Sequence, residues 1–454
     1  MGTIDCSDLR NRLSSPSRLI TDGTADEEFS HDATSLSTPP QAVLIAHSAS
    51  DVVAAVEFCR QHQIPITPRG AGTGLSGGCV PSPGGLVIST AAMNDLDIRP
   101  DEKTAICGPG VITKDLQDQA GKYGLTYPPD PASYTESTIG GNVAEGAGGL
   151  RCKRFGVTKD YILGLEAVTG EGRLLRTGVF SSVPCFSLGD VLIASEGTLA
   201  IVTNVAVCLI GSPSRGSTIL VAFETPRDAA QAVADINASG MILTVMEYMD
   251  GDTIALANEY EQAEGIEKVA AALLLETDDR DPQRQTEAVE AICQRHHCSY
   301  LRSEPDQERA EQLWQLRRNV SNAAKALAVV KVSEDVAVPN GQFPDLVAFV
   351  AQMNRKSAVR INSYGHAGDG NLHVNFLGAT DSPAVRGEIA DGVTRLMRET
   401  IRLGGTLTGE HGIGIAKREY LPLEFDSPTL AFMRSVKDVL DPSRVLNPEK
   451  LFPM

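Results

Sequence analysis

Three of the eight histidines, His366, His373 and His411, fall in glycine-rich stretches of the last hundred residues. In Gly365-His366-Ala-Gly-Asp-Gly-Asn371-Leu-His373-Val-Asn375-Phe376, the residues after the turn alternate, with Leu372, Val374 and Phe376 on one face and His373 and Asn375 on the other. The spacing predicts a polar face pointing away from the core. AGDGN is turn chemistry, and it can fold the chain back so that His366, ending one strand, meets His373, starting the next. Two imidazoles so placed can share one ion. Thr408-Gly409-Glu410-His411-Gly412-Ile413-Gly414 supplies a carboxylate and a third imidazole on a glycine-flanked turn. Two histidines and one carboxylate leave open positions on a divalent ion, as a catalytic metal requires. Histidine titrates near neutrality, and a hydroxyl polarised by a metal gives its proton more readily to a nearby imidazole.

In EQLWQLRRNVSNAAKAL, Trp314, Arg317 and Ser321 recur at i, i+3 and i+7. One helical face thus carries a cation, a hydroxyl and the only tryptophan, and an anionic substrate could dock there.

Glycine supplies the remaining chemistry. Residues 70 to 89 hold seven glycines and two prolines. Gly72-Thr73-Gly74-Leu75-Ser76-Gly77 reads G-x-G-x-x-G after a predicted strand, but the prolines and glycines that follow forbid the helix a Rossmann site needs. Such a loop can still turn successive backbone N–H groups inward as a nest for a phosphate. Arg69 and the hydroxyls of Thr73 and Ser76 are expected to add charge and donors to it. A second cluster, Ser137 to Asn142 with Gly146, Gly148 and Gly149, repeats the pattern. Two such loops suit a long, flat cofactor that carries a polyphosphate.

The elements that must position these groups read as α+β. AVLIAH predicts a strand, SASDVVAAVEFCRQHQ a helix capped by Ser48 or Ser50, and IPITPR a second strand. Residues 160 to 209 read as a run of strands, and helix formers dominate from about 213. The expected division is an N-terminal segment 1–37, a first domain 38–212, a second 213–430 and a C-terminal segment 431–454 that returns to the first.

PRGAGTGLSGG, STIGGNVAEGAGGLRCKRFG and SEGTLAIVT, in that order, resemble the FAD-binding domain of the vanillyl-alcohol oxidase superfamily. The later half resembles the C-terminal domain of D-lactate, D-2-hydroxyglutarate and glycolate dehydrogenases, and the likeness runs from about 38 to 451. It implies a two-lobed FAD domain and an α+β cap domain with an antiparallel sheet. FAD would be held by Pro68, Arg69, Gly70, Ala71, Gly72, Thr73, Gly74, Ser76, Gly77, Gly78, Thr138, Gly141, Asn142, Gly148, Gly149, Glu196, Gly197 and Asn447. Relatives with covalent flavin carry an R-x-G-G-H loop, whereas Thr73 stands at the histidine's place, so FAD is expected to be non-covalent. The resemblance further implies His366, His373 and Glu410 as ligands of one divalent metal, zinc or manganese, and His411 as the catalytic base. Arg317, with Ser321 one turn later, would hold a substrate carboxylate, and Asn375 joins the substrate site. Lys331 aligns poorly with the family's lysine, which weakens a dicarboxylate preference. The expected reaction is oxidation of a D-2-hydroxy acid to the 2-oxo acid by hydride transfer to FAD. The alternative is the FAD subunit of a multi-chain glycolate oxidase complex.

Composition narrows the partners. Lys plus Arg number 40 against 58 for Asp plus Glu, a net charge of −18 that repels phosphate backbones and excludes nucleic acid as the expected partner. Nine cysteines show no C-x-x-C pair, so electrons must leave FAD for an outside acceptor: a quinone, a cytochrome, an electron-transfer flavoprotein or oxygen. No stretch of 18 apolar residues and no signal core occur, which predicts a cytoplasmic protein, peripheral to a membrane only through its acceptor. A homodimer is the expected assembly.

Overall fold

Parallel strands Ala42–Ile45, Leu86–Ser89 and Ile66–Arg69 begin the fold, with Leu19–Ile20 added antiparallel at one edge. Leu86–Ser89 is buried along its whole length, as a strand covered on both faces must be. Helix Ala49–His62 connects the first two strands of the chain's αβ start, and the Ser48 side chain accepts from Asp51 N to cap it. No helix follows Gly77 before Leu86, so the dinucleotide fingerprint is absent as the prolines require. The computed structural model describes residues 4–14, 18–24, 26–181, 188–214, 216–260, 269–278 and 280–453.

The chain forms two compact units. The first comprises Met1–Gly149, Gly156–Ser212 and Glu410–Met454. Beside the four-stranded sheet it holds a five-stranded antiparallel sheet, in the order Leu96–Arg99, Thr104–Cys107, Ala200–Cys208, Ile162–Thr169, Leu174–Arg176. Residues before 38 are part of this unit, since Leu9, Leu13 and Leu19 are buried in its core beside Val52 and Phe58. The C-terminal strip returns to it: Ile66 N donates to Val445 O and Asn447 N to Ile66 O.

The second unit comprises Leu150–Phe155 and Pro213–Gly409, ending at 409 where the expected division stands at 430. Hydrogen bonds explain the earlier end, because the amides of Ile413 and Gly414 are already taken by Glu196 of the first unit. Its seven-stranded sheet is antiparallel throughout, in the order Cys298–Glu304, Thr218–Phe223, Ala271–Glu276, Val245–Asp250, Arg360–His366, Asn371–Gly378, Val330–Ala337. On one face Val245 and Met249 share a core with Leu313, Trp314 and Val320 of helix Gln307–Leu327. On the other, Tyr248 meets Phe343 of helix Phe343–Lys356 edge to face, with ring centroids 5.8 Å apart. Both faces are therefore covered. No helix of the described residues is long and apolar enough to cross a membrane.

Candidate functional site

In the first unit the glycine loops line a cavity with about 1320 Å³ of free space, including its solvent-open side. The loop after Ile66–Arg69 contributes Gly70, Ala71, Gly72, Thr73, Gly74 and Gly78. Gly72 has φ +79°, and a Cβ there would meet the Arg69 guanidinium. Thr138, Gly141, Asn142, Glu196, Gly197 and Asn447 line the same space, as do Glu410 and His411. A Cβ on Gly74 would meet nothing nearer than Asp32 Oδ2 at 3.9 Å, so backbone stands bare toward a ligand there. Size and bare backbone suit a long, flat cofactor.

Several expected contacts fall elsewhere. Arg69 lines the cavity, but its guanidinium is turned onto backbone carbonyls, Nη1 donating to His31 O at 2.6 Å and Nη2 to Glu28 O at 3.0 Å. It moors the segment between strands Leu19–Ile20 and Ala42–Ile45 rather than turning its charge to a phosphate nest. Ser76 and Gly77 are not cavity residues: Ser76 O accepts from Ile415 N and Ala416 N, and Gly77 N donates to Asp32 Oδ2 at 2.8 Å. Residues 139–145 form a helix instead of a second nest, capped by Thr138 Oγ1 and ended by Gly146 at φ 68°. Gly148 and Gly149 are buried beyond that helix and do not line the cavity; a Cβ on Gly149 would meet Asp130 O at 2.4 Å. Asn142 Nδ2 donates to Thr113 Oγ1 at 2.7 Å, and Asn447 Nδ2 to Gly78 O and Glu196 O, so both hold the cavity wall together.

Three acids that sequence patterns do not reveal as a group, Asp32, Glu145 and Glu196, gather at this wall. Glu196 accepts from Ile413 N at 2.7 Å and Gly414 N at 2.6 Å and so fixes the turn after His411. Burial raises its carboxyl above the ordinary range, against those two N–H donors. Glu145 is raised well above its usual value, first by burial and then by the charges of Glu196 and Asp32. The folded protein therefore holds that proton more tightly than the unfolded chain does. This contribution to stability is complete below the ordinary glutamate value of about 4.3 and is lost as pH rises through the folded value. Glu145→Gln is expected to unfold at a higher temperature than the parent, the gap widening from pH 5 to pH 8 in circular-dichroism melts; a gap that narrows would contradict this.

Gly412, next to His411, has φ +85°, and a Cβ there would lie 2.9 Å from both Glu145 Oε2 and Glu196 Oε1. Gly412→Ala should cost about 1–3 kcal/mol for the strained backbone alone. A lowered melting temperature checks it; an unchanged one would contradict it.

The second unit carries the paired imidazoles. Strands Arg360–His366 and Asn371–Gly378 form a hairpin with a short turn at Ala367–Asp369 and Gly370 at φ +73°. The His366 and His373 rings lie 5.4 Å apart and nearly perpendicular. His366 Nδ1 is 2.5 Å from Oε1 of the fully buried Glu247, its register partner on the neighbouring strand. A carboxylate accepts only, so Nδ1 carries the hydrogen, and in the neutral form of the imidazole Nε2 is left to present its lone pair, as a metal ligand must. Asp335 Oδ1 lies 3.7 Å from His373 Nδ1. Asp335 also accepts from Thr408 Oγ1 at 2.9 Å and Gly409 N at 2.8 Å, anchoring the start of the Thr408–Gly414 turn. A Cβ at Gly409 would meet Asn371 Nδ2 at 2.0 Å, which reserves this position for glycine. Two imidazoles with carboxylates behind them suit a divalent ion.

Arg317 is buried, not a surface cation; its Nε donates to Glu247 Oε2 at 2.7 Å and its Cζ lies 4.7 Å over the Tyr364 ring. Burial pushes the Glu247 carboxyl up, and the charges of His366 and Arg317 more than reverse this, holding it at about 2. Trp314 belongs to the core, its Nε1 donating to Thr218 Oγ1 at 3.2 Å. Ser321 is on the same helix, but its side chain lies outside the described residues. The face bearing His373 and Asn375 is buried, not turned from the core, and Leu377 on the same face packs with Ala323 of helix Gln307–Leu327; Asn375 Oδ1 accepts from Ser333 Oγ at 2.7 Å. Glu247 was detectable as an acid between Val245 and Met249 in an apolar strand, since a buried charge demands partners.

A family model described as FAD linked oxidases, C-terminal domain, matches residues 212–451, and one described as FAD binding domain matches residues 40–178. Over 458 residues the chain is 34% identical to glycolate oxidase subunit GlcD of Bacillus subtilis (strain 168), covering 100% of this chain and 97% of that protein. It is 30% identical over 454 residues to a D-lactate dehydrogenase of Anaerostipes hadrus, covering 96% and 95%. The solved structure of p-cresol methylhydroxylase with substrate bound superposes with a TM-score of 0.80 at 15% identity, covering 98% of this chain and 95% of that one, a likeness of fold.

Proposed function

Because the chain belongs to the FAD-linked oxidases, we propose that it oxidises a D-2-hydroxy acid of the D-lactate, D-2-hydroxyglutarate or glycolate class to the 2-oxo acid. The observation that carries the reading is the pair of adjacent imidazoles, His366 bonded to Glu247 and His373 3.7 Å from Asp335, in the unit that also buries Arg317. Bound non-covalently along the cavity of the first unit, FAD supplies an acceptor for a hydride. A divalent ion, zinc or manganese, supplies a positive charge that lowers the pKa of a substrate hydroxyl.

Within this scheme His366, His373 and Glu410 hold the ion, and His411 takes the hydroxyl proton. Arg317 meets the substrate carboxylate through its Nη groups, since its Nε is bonded to Glu247. Ser321 and Asn375 complete that clamp. Electrons then pass to an outside acceptor such as a quinone, a cytochrome or an electron-transfer flavoprotein.

Turnover with a dye acceptor against D-lactate, glycolate, D-2-hydroxyglutarate and D-malate tests the reading, with the 2-oxo product identified directly. Oxidation of at least one D-2-hydroxy acid supports it; oxidation of none overturns it. The likeness to a glycolate oxidase subunit favours a second reading, that the chain works inside a multi-chain complex. In that case the isolated chain would oxidise glycolate only after its partner chains are restored.

A further inference from the structure

Glu247 joins two groups that the proposed reaction uses for different purposes. It lies wholly buried in strand Val245–Asp250, opposite His366 in the antiparallel register. Oε1 faces His366 Nδ1 at 2.5 Å and Oε2 accepts from Arg317 Nε at 2.7 Å. Each oxygen thus answers a different donor. Arg317 also stacks over Tyr364, whose ring lies 5.3 Å from that of His373. The arginine of the substrate clamp is in this way tied to both imidazoles, through Glu247 to one and through Tyr364 to the other.

We propose that Glu247 is a positioning residue that couples the carboxylate-binding arginine to the metal-binding histidine pair, a role that rests on the reading above. Only a carboxylate can serve both donors. An amide offers one oxygen and one NH2, so in Glu247→Gln either His366 or Arg317 would face a donor instead of an acceptor. If His366 loses its acceptor, the tautomer and orientation that present Nε2 are no longer fixed. If Arg317 loses it, the fork turns and the substrate carboxylate is met off its line.

The test measures zinc affinity of the FAD-replete protein by competition with a chromophoric chelator, together with KM and kcat for the best 2-hydroxy acid. Glu247→Gln is expected to retain FAD, to bind zinc ~10- to 100-fold more weakly, the range for loss of a partner behind a metal ligand, and to raise KM. A merely structural glutamate would lower the melting temperature and leave the zinc affinity of the folded protein unchanged; that result overturns the proposal. Should the single variant fail to fold, the comparison moves to Arg317→Gln against Glu247→Gln/Arg317→Gln, in which no buried arginine is left uncompensated. Weaker zinc binding in the double variant supports the coupling, and equal affinity overturns it. A parent protein that binds no zinc and oxidises no 2-hydroxy acid would overturn the underlying reading and this inference with it. A parent that does both, beside an unaltered Glu247→Gln, would overturn the inference alone.

Discussion

His411→Ala is expected to bind FAD as the parent does while the anaerobic reduction of the flavin by substrate slows by about a hundredfold or more, the usual scale for losing a general base. A hundredfold corresponds to about 2.7 kcal/mol of barrier. FAD binding should survive because the cavity is built mainly from the loops around Gly72 and Thr138, and His411 is one lining residue among many. The pH profile separates this role from a structural one. In the parent the reduction rate should rise with pH as the base loses its proton, and in the variant that limb should vanish. An unimpaired rate, or an unchanged profile, would remove His411 from the chemistry.

His373→Ala has the second large effect: the ion and the activity should disappear together. The residue is buried on the strand Asn371–Gly378, with Asp335 behind its Nδ1 and the His366 ring perpendicular to its own. Alanine leaves one imidazole of the pair, and the remaining site lacks the ligand number a divalent ion of this kind requires. Metal analysis of the purified variant beside its turnover checks the prediction. Retention of stoichiometric metal would place the ion elsewhere, and retention of activity without it would remove the ion from the reaction.

Much of the framework was legible because local rules and tertiary packing agree. Ser48 is where a cap belongs, and it caps. The prolines after Gly77 exclude a helix, and none forms. The turn residues between His366 and His373 make a hairpin. Directions of long side chains were not legible. Arg69 stands beside a glycine loop, yet carbonyls 38 and 41 positions earlier in the chain claim its guanidinium. Arg317 shares a helical face with Trp314, but the buried acid it meets is 70 positions away, beyond the reach of any helical spacing. The helix at Ile139–Glu145 was hidden because its two leading glycines suggest a loop, and Thr138 with Gly146 supplies the caps that overcome their low propensity. Burial of Asn375 depends on packing that alternation along one strand cannot reveal.

These differences bear on chemistry as well as on fold. With Arg69 turned away, the phosphates of a bound cofactor would be met by backbone N–H groups rather than by that cation. Glu247 stands between Arg317 and His366 and bonds to both, so the proposed substrate clamp and the proposed metal site would share a wall.

The most direct measurement is anaerobic mixing of the FAD-loaded protein with the D and L enantiomers of lactate, of malate and of 2-hydroxyglutarate while the absorbance of the oxidised flavin is followed. Bleaching by a D enantiomer, with one 2-oxo acid formed per flavin and none from its mirror image, is the expected result. A flavin that stays oxidised with every D-2-hydroxy acid, glycolate included, would contradict the account.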